Sequence, residues 1–174
     1  MATDTFPRFI GQHEPLTTKH LWGNTTPTAQ TMRAEDVRWI VIHCTATRCD
    51  RDYTARQLLN DHRRRGFRTV GYHLYIRKSG IVTQHRHLLE AGAHCLPYNR
   101  CSIGVCYEGG LDTHGHPCDT RTPEQKEQLL SLLVRLKRLF PQASVRGHCE
   151  MRGATPKACP CFNASREYAQ FDKQ

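Results

Sequence analysis

The run Trp39-Ile40-Val41-Ile42 constrains the fold more than any other stretch. Four consecutive apolar residues lack the alternation of a half-solvated strand. They suit an interior strand covered on both faces. The run ends in polar chemistry, at His43-Cys44-Thr45. A counterpart lies near the far end of the chain. There Arg146-Gly147-His148 closes a short extended stretch, and Cys159 follows eleven residues later inside Pro156-Lys157-Ala158-Cys159-Pro160. Strand ends and a proline-braced loop can hold side chains from distant sequence rigidly. Two imidazoles and a thiolate, from His43, His148 and Cys159, are three borderline-soft ligands. That is the number a catalytic zinc takes when its fourth position is kept for water.

Further elements follow from local signals. Asp52 or Thr54 can cap a helix running to about Arg65, with Leu58, Leu59 and His62 on its inner face and Gly66 as its stop. Residues 70–76 read as a second strand, and Arg77-Lys78-Ser79-Gly80 turns it into a hairpin with residues 81–84. Residues 102–107 form a third strand. Gly109-Gly110-Leu111-Asp112-Thr113-His114-Gly115-His116-Pro117 reads as a surface loop without regular structure. Thr122-Pro123-Glu124-Gln125 supplies a cap, a proline at the first helical position and a glutamine at the third. Leu129, Leu132, Leu133, Leu136, Leu139 and Phe140 then recur at helical spacing until Pro141. Residues 144–146 make a short strand leading to His148, and a last helix is expected over 164–171. This order predicts an α/β fold, a mixed central sheet flanked by helices.

A chain of 174 residues suits one domain. It is expected over 36–174. Residues 1–35, rich in Thr, Pro and Gln, read as an N-terminal arm, partly ordered where Trp22 docks. There are no internal repeats, and no glycine-rich phosphate loop precedes a helix.

The net charge of +9 would attract anionic polymers. Arg63-Arg64-Arg65 is the densest patch, but no aromatic residues interleave with it. Sequence-specific nucleic-acid reading is therefore not expected. No run approaches the roughly 18 apolar residues of a membrane span. The segment Met1-Ala2-Thr3-Asp4-Thr5-Phe6-Pro7 has neither a basic nor an apolar signal region, which predicts cytoplasmic synthesis without a secretory signal. The sequence specifies no oligomer, and a monomer is the expectation.

Nine cysteines leave at least one unpaired within the chain. Without a secretory signal, a disulfide framework is not the default. Cys106, inside the third strand, is expected to be a small buried hydrophobe. Two rivals to the three-ligand site stay open here. Cys149, Cys159 and Cys161 with His148 could form a closed structural site, although the Cys159-Pro160-Cys161 spacing is tighter than zinc knuckles use. A Cys–His nucleophilic pair is the other.

Five separate motifs carry a family resemblance. They are Val41-Ile42-His43-Cys44-Thr45-Ala46-Thr47; Val70-Gly71-Tyr72-His73-Leu74-Tyr75-Ile76; Asn99-Arg100-Cys101-Ser102-Ile103-Gly104-Val105-Cys106; Arg146-Gly147-His148; and Lys157-Ala158-Cys159-Pro160. In this order, over residues 38–162, the chain resembles the type 2 N-acetylmuramoyl-L-alanine amidases. The likeness is greatest to their phage lysozyme group, which is related to the peptidoglycan recognition proteins. The resemblance implies a mixed sheet flanked by helices, and one Zn2+ per chain held by His43, His148 and Cys159. It implies catalytic roles for Tyr72 and Lys157, and a groove-lining, substrate-binding position for His94. Because a strand alternates sides, Tyr72 facing the groove would turn His73 to the core. The implied reaction is hydrolysis of the amide between N-acetylmuramic acid and L-alanine, in peptidoglycan or soluble muropeptides. The alternative is a non-catalytic peptidoglycan binder using the same groove. Relatives of that kind lose the cysteine, which this chain keeps. As a phage-type endolysin the protein would reach the wall through a separate membrane pore. As a wall-recycling enzyme it would stay inside the cell. Residues 1–35 do not resemble the phage enzymes, and the segment from His148 to Cys159 is longer here, so the groove rim is expected to differ.

Overall fold

A computed structural model describes residues 8–10, as backbone only, and residues 31–172. Six strands form one mixed sheet. β1 (Arg8–Ile10), β2 (Trp39–Cys44), β4 (Leu74–Ile76), β5 (Val82–Gln84), β6 (Ser102–Tyr107) and β8 (Ser144–Gly147) lie in the order β1-β5-β4-β6-β2-β8. β2 is parallel to both β6 and β8, and β4 is parallel to β6. β5 returns antiparallel to β4, with Ile76 opposite Val82, as the hairpin reading requires. β2 and β6 are thus interior strands, which is why their sequences carry little alternation.

Two helices cover opposite faces. α2 (Pro123–Leu139) begins with a capping box, in which Thr122 and Gln125 satisfy each other's backbone N–H groups. It buries Leu129, Leu132, Leu133 and Leu136 against Ile40, Ile42, Leu74, Ile76, Ile103 and Val105. Each fully buried leucine is worth about 1.5–3 kcal/mol, so this stripe anchors the main core. α1 (Ala55–Arg64) is capped by Thr54, again with a capping box to Gln57. It packs Ala55 and Leu58 on Val70, Tyr75 and Cys106, on the other side of the sheet. Cys106 is fully buried there, as expected. Being shorter, α1 leaves part of this second face to loops, and the site forms on that face.

Four features differ from the sequence reading. The second strand is confined to Leu74–Ile76, because the chain turns aside at Gly71, whose backbone groups find other partners. The Gly71 N–H donates to His62 Nδ1, and its carbonyl accepts from Ala93 N–H. A side chain at Gly71 would meet the Ala93 carbonyl oxygen at 2.2 Å, so this crossing needs glycine. The glycine-rich segment after β6 is not wholly irregular. Within it β7 (Gly110–Leu111) pairs in parallel with β3 (Thr47–Arg48). Gly110 has φ of 98° and lies where a Cβ would come within 2.5 Å of Cys44 Sγ. The last helix stops early, as α3 (Ala164–Glu167) followed by a single 3-10 turn, Ala169–Phe171. Finally, β1 falls inside the expected arm and pairs with β5, while Met32 is buried in the main core. Trp22 lies outside the described residues. Among those described, no helix is long and apolar enough to cross a membrane.

Candidate metal centre

His43 is the fifth residue of β2, and His148 is the first residue after β8. In the parallel β2–β8 register Ile42 lies beside Gly147, so the next residues, His43 and His148, emerge side by side. Their ring centroids are 4.8 Å apart. Cys159 reaches them from the loop after β8. Its carbonyl accepts from Cys149 N–H at 2.7 Å, which ties that loop to the turn carrying His148. Its Sγ accepts from the backbone N–H of Cys44 at 3.2 Å, a contact that orients the sulfur towards the end of β2.

All three side chains are buried, and their ligand atoms lie within 4.8 Å of one another. His43 Nδ1 is 3.7 Å from Cys159 Sγ. Tetrahedral zinc with Zn–S of about 2.3 Å and Zn–N of about 2.0–2.1 Å separates such atoms by roughly 3.6 Å, so this donor set fits the ion. The closed structural site does not assemble. Cys149 is exposed, and Cys161 turns its Sγ to the Gly110 carbonyl at 3.1 Å.

The turn and loop are braced from behind. The Glu150 carboxylate accepts from Gly147 N–H and from both the N–H and hydroxyl of Ser165, clamping the His148 turn to α3. Tyr107 donates its hydroxyl to the Pro160 carbonyl at 2.6 Å. Arg121 is paired with Asp119 and Glu167, and its guanidinium stacks 3.3 Å from the Phe162 ring centroid. Sequence reasoning singled out none of these three braces.

Tyr72 stands at the centre, its ring 5.0 Å from that of His43 and 5.5 Å from that of His62. Burial pushes its phenol well above the usual range, and the thiols of Cys106, Cys159 and Cys44 add to this, so it stays a neutral donor. His73 lies outside the strand and stays beside the centre, its ring 5.6 Å from that of His94, so the alternation expected of Tyr72 and His73 does not apply. It is fully buried, accepts from Gly104 N–H at Nδ1, and faces the Glu90 carbonyl at 2.8 Å through Nε2. Lys157 is exposed on the loop before Cys159. Its charge adds to burial in holding the proton affinities of His43 and His148 below the ordinary imidazole value. His94 meets the centre through His43, its Nδ1 lying 3.0 Å from His43 Nε2.

Burial also lowers His62, His73 and His85 from 6.5 to about 4. Between these values the unfolded chain binds protons that the folded chain does not, so stability falls as pH drops through that window. The urea midpoint of metal-free protein is expected to decline from about pH 6.5 towards pH 4. A midpoint independent of pH across that interval would contradict the buried neutral state of these rings.

The N-acetylmuramoyl-L-alanine amidase family model matches residues 33–162. An endolysin of Klebsiella phage KP32 is 37% identical over 137 residues, covering 79% of this chain and 89% of the relative. A peptidoglycan-recognition protein of Drosophila melanogaster is 32% identical over 140 residues, covering 78% of this chain and 74% of the relative. Among solved structures, an endolysin N-acetylmuramoyl-L-alanine amidase of Clostridium intestinale superposes with a TM-score of 0.66 at 25% identity, covering 87% of this chain and 94% of that one. Matched by the family model over residues 33–162 and by relatives across most of its length, this chain belongs to the N-acetylmuramoyl-L-alanine amidase family.

Proposed function

We propose that the protein is a zinc-dependent amidase that cleaves the bond between the lactyl group of N-acetylmuramic acid and the L-alanine of the stem peptide. The convergence of His43, His148 and Cys159 carries this reading. Family membership, together with the likeness to phage endolysins, supports the substrate class.

Zinc bound by these three side chains would supply Lewis-acid polarisation of the amide carbonyl and a water activated for attack. The chain's own residues supply the rest. Burial of both histidines keeps them neutral and able to ligate near neutral pH. A thiolate ligand adds negative charge, so a developing oxyanion needs a nearby cation, and Lys157 is the cation beside the two histidines. Tyr72, kept protonated by burial, can donate a hydrogen bond to the oxyanion or orient the attacking water.

Zinc-loaded protein incubated with peptidoglycan sacculi should release new L-alanine amino termini without new reducing sugar ends. New reducing ends would identify a glycosidase. Tight wall binding without turnover would identify a binding protein. Either result would refute the proposal.

A further inference from the structure

We infer that His94 is a positioning residue for the metal centre, acting through His43 rather than through substrate. The inference rests on the reading of His43 as a zinc ligand. It starts from the hydrogen bond between His43 Nε2 and His94 Nδ1, at 3.0 Å. One of those nitrogens must carry the proton, and the surroundings determine which.

Ser102 donates its hydroxyl to the Tyr98 carbonyl at 2.8 Å. With that proton committed, Ser102 Oγ presents only lone pairs to His94 Nε2, 3.5 Å away. His94 therefore carries its proton on Nε2 and offers a bare Nδ1. His43 must then donate from Nε2, which leaves its Nδ1 lone pair free. That atom is the one facing Cys159 Sγ at 3.7 Å. The chain Ser102–His94–His43 thus sets the ligating tautomer and aims the ring before any metal arrives. A ligating histidine commonly needs such a partner on its second nitrogen.

His94 is held too firmly to be an adaptable groove histidine. Its backbone N–H and that of Cys95 both donate to Asn99 Oδ1 at 2.8 Å. Its ring fills a slot walled by two glycines. A Cβ on Gly92 would lie 2.4 Å from the ring, and one on Gly104 would lie 2.7 Å from it. Nδ1 is engaged by His43 at 3.0 Å, and Nε2 faces Ser102 Oγ at 3.5 Å, so both ring nitrogens point to groups of the protein.

Two measurements test this. Long-range proton–nitrogen NMR of metal-free wild-type protein should show His43 with its proton on Nε2. A proton on Nδ1 would overturn the inference without involving any variant. Zinc affinity by chelator competition is the second. His94→Leu removes the acceptor and should weaken zinc binding about 10- to 100-fold. His94→Asn, whose side-chain oxygen can take the place of Nδ1, should recover most of that loss. Undiminished affinity in His94→Leu, or equal losses in both variants, would reduce His94 to packing and overturn the inference alone. Wild-type protein that binds no zinc would overturn the metal centre and this inference together.

Discussion

Replacing Cys159 with alanine is expected to remove zinc and turnover together. In the proposed centre the thiolate is one of three ligands, and two histidines alone would leave the ion with half of a tetrahedral shell. Metal chemistry at such sites is worth several kcal/mol of barrier. At about 1.36 kcal/mol per tenfold, a loss of about 4 kcal/mol is about 1000-fold in rate. The fold should persist. Cys159 sits at the rim of the main core, and its loop is independently held by Tyr107 and Arg121. Elemental analysis, circular dichroism and turnover on one soluble muropeptide check all three parts. Retained zinc with retained turnover would remove Cys159 from the centre.

Lys157→Ala is expected to separate binding from catalysis. Lys157 is exposed and ligates nothing, so zinc content and stability should match wild type. Turnover should nevertheless fall, because in the proposed mechanism the Lys157 charge stabilises the developing oxyanion. Losing one such group typically costs about 2.7–4 kcal/mol, or roughly 100- to 1000-fold. Tyr72→Phe keeps the ring packed between His43 and His62 and deletes only the hydroxyl. It should cost less if that hydroxyl orients water, and about as much if it meets the oxyanion. Wild-type turnover in Lys157→Ala, with zinc fully bound, would exclude Lys157 from the mechanism.

The parts of the fold legible in the sequence are those set by local chemistry. The span 102–107 is recovered as β6, and the Thr122-Pro123-Gln125 signal opens α2 where expected. The His–His–Cys cluster was also readable, because soft donors at two strand ends and in a proline-braced loop form a restrictive combination. What escaped depends on contacts between distant residues. The strand pairing of Gly110–Leu111 is masked by glycines, whose usual meaning is a turn. Residues 70–73 have strand-like composition, yet His62 and Ala93 take the backbone groups of Gly71. Glu150 resembles any exposed glutamate until α3 folds back onto it. The His43–His94 bond spans 51 positions and exists because glycines at 92 and 104 make room for a ring. No periodicity in either segment encodes that pairing.

The central claim is that His43, His148 and Cys159 together hold one zinc ion. Zinc X-ray absorption on purified wild-type protein tests it most directly. The expected result is one zinc per chain, with one sulfur at about 2.3 Å and two imidazole nitrogens at about 2.0–2.1 Å, the remaining position filled by oxygen. The sulfur shell should vanish in Cys159→Ala. A wild-type zinc shell without sulfur, or with two or more sulfurs, would contradict the site.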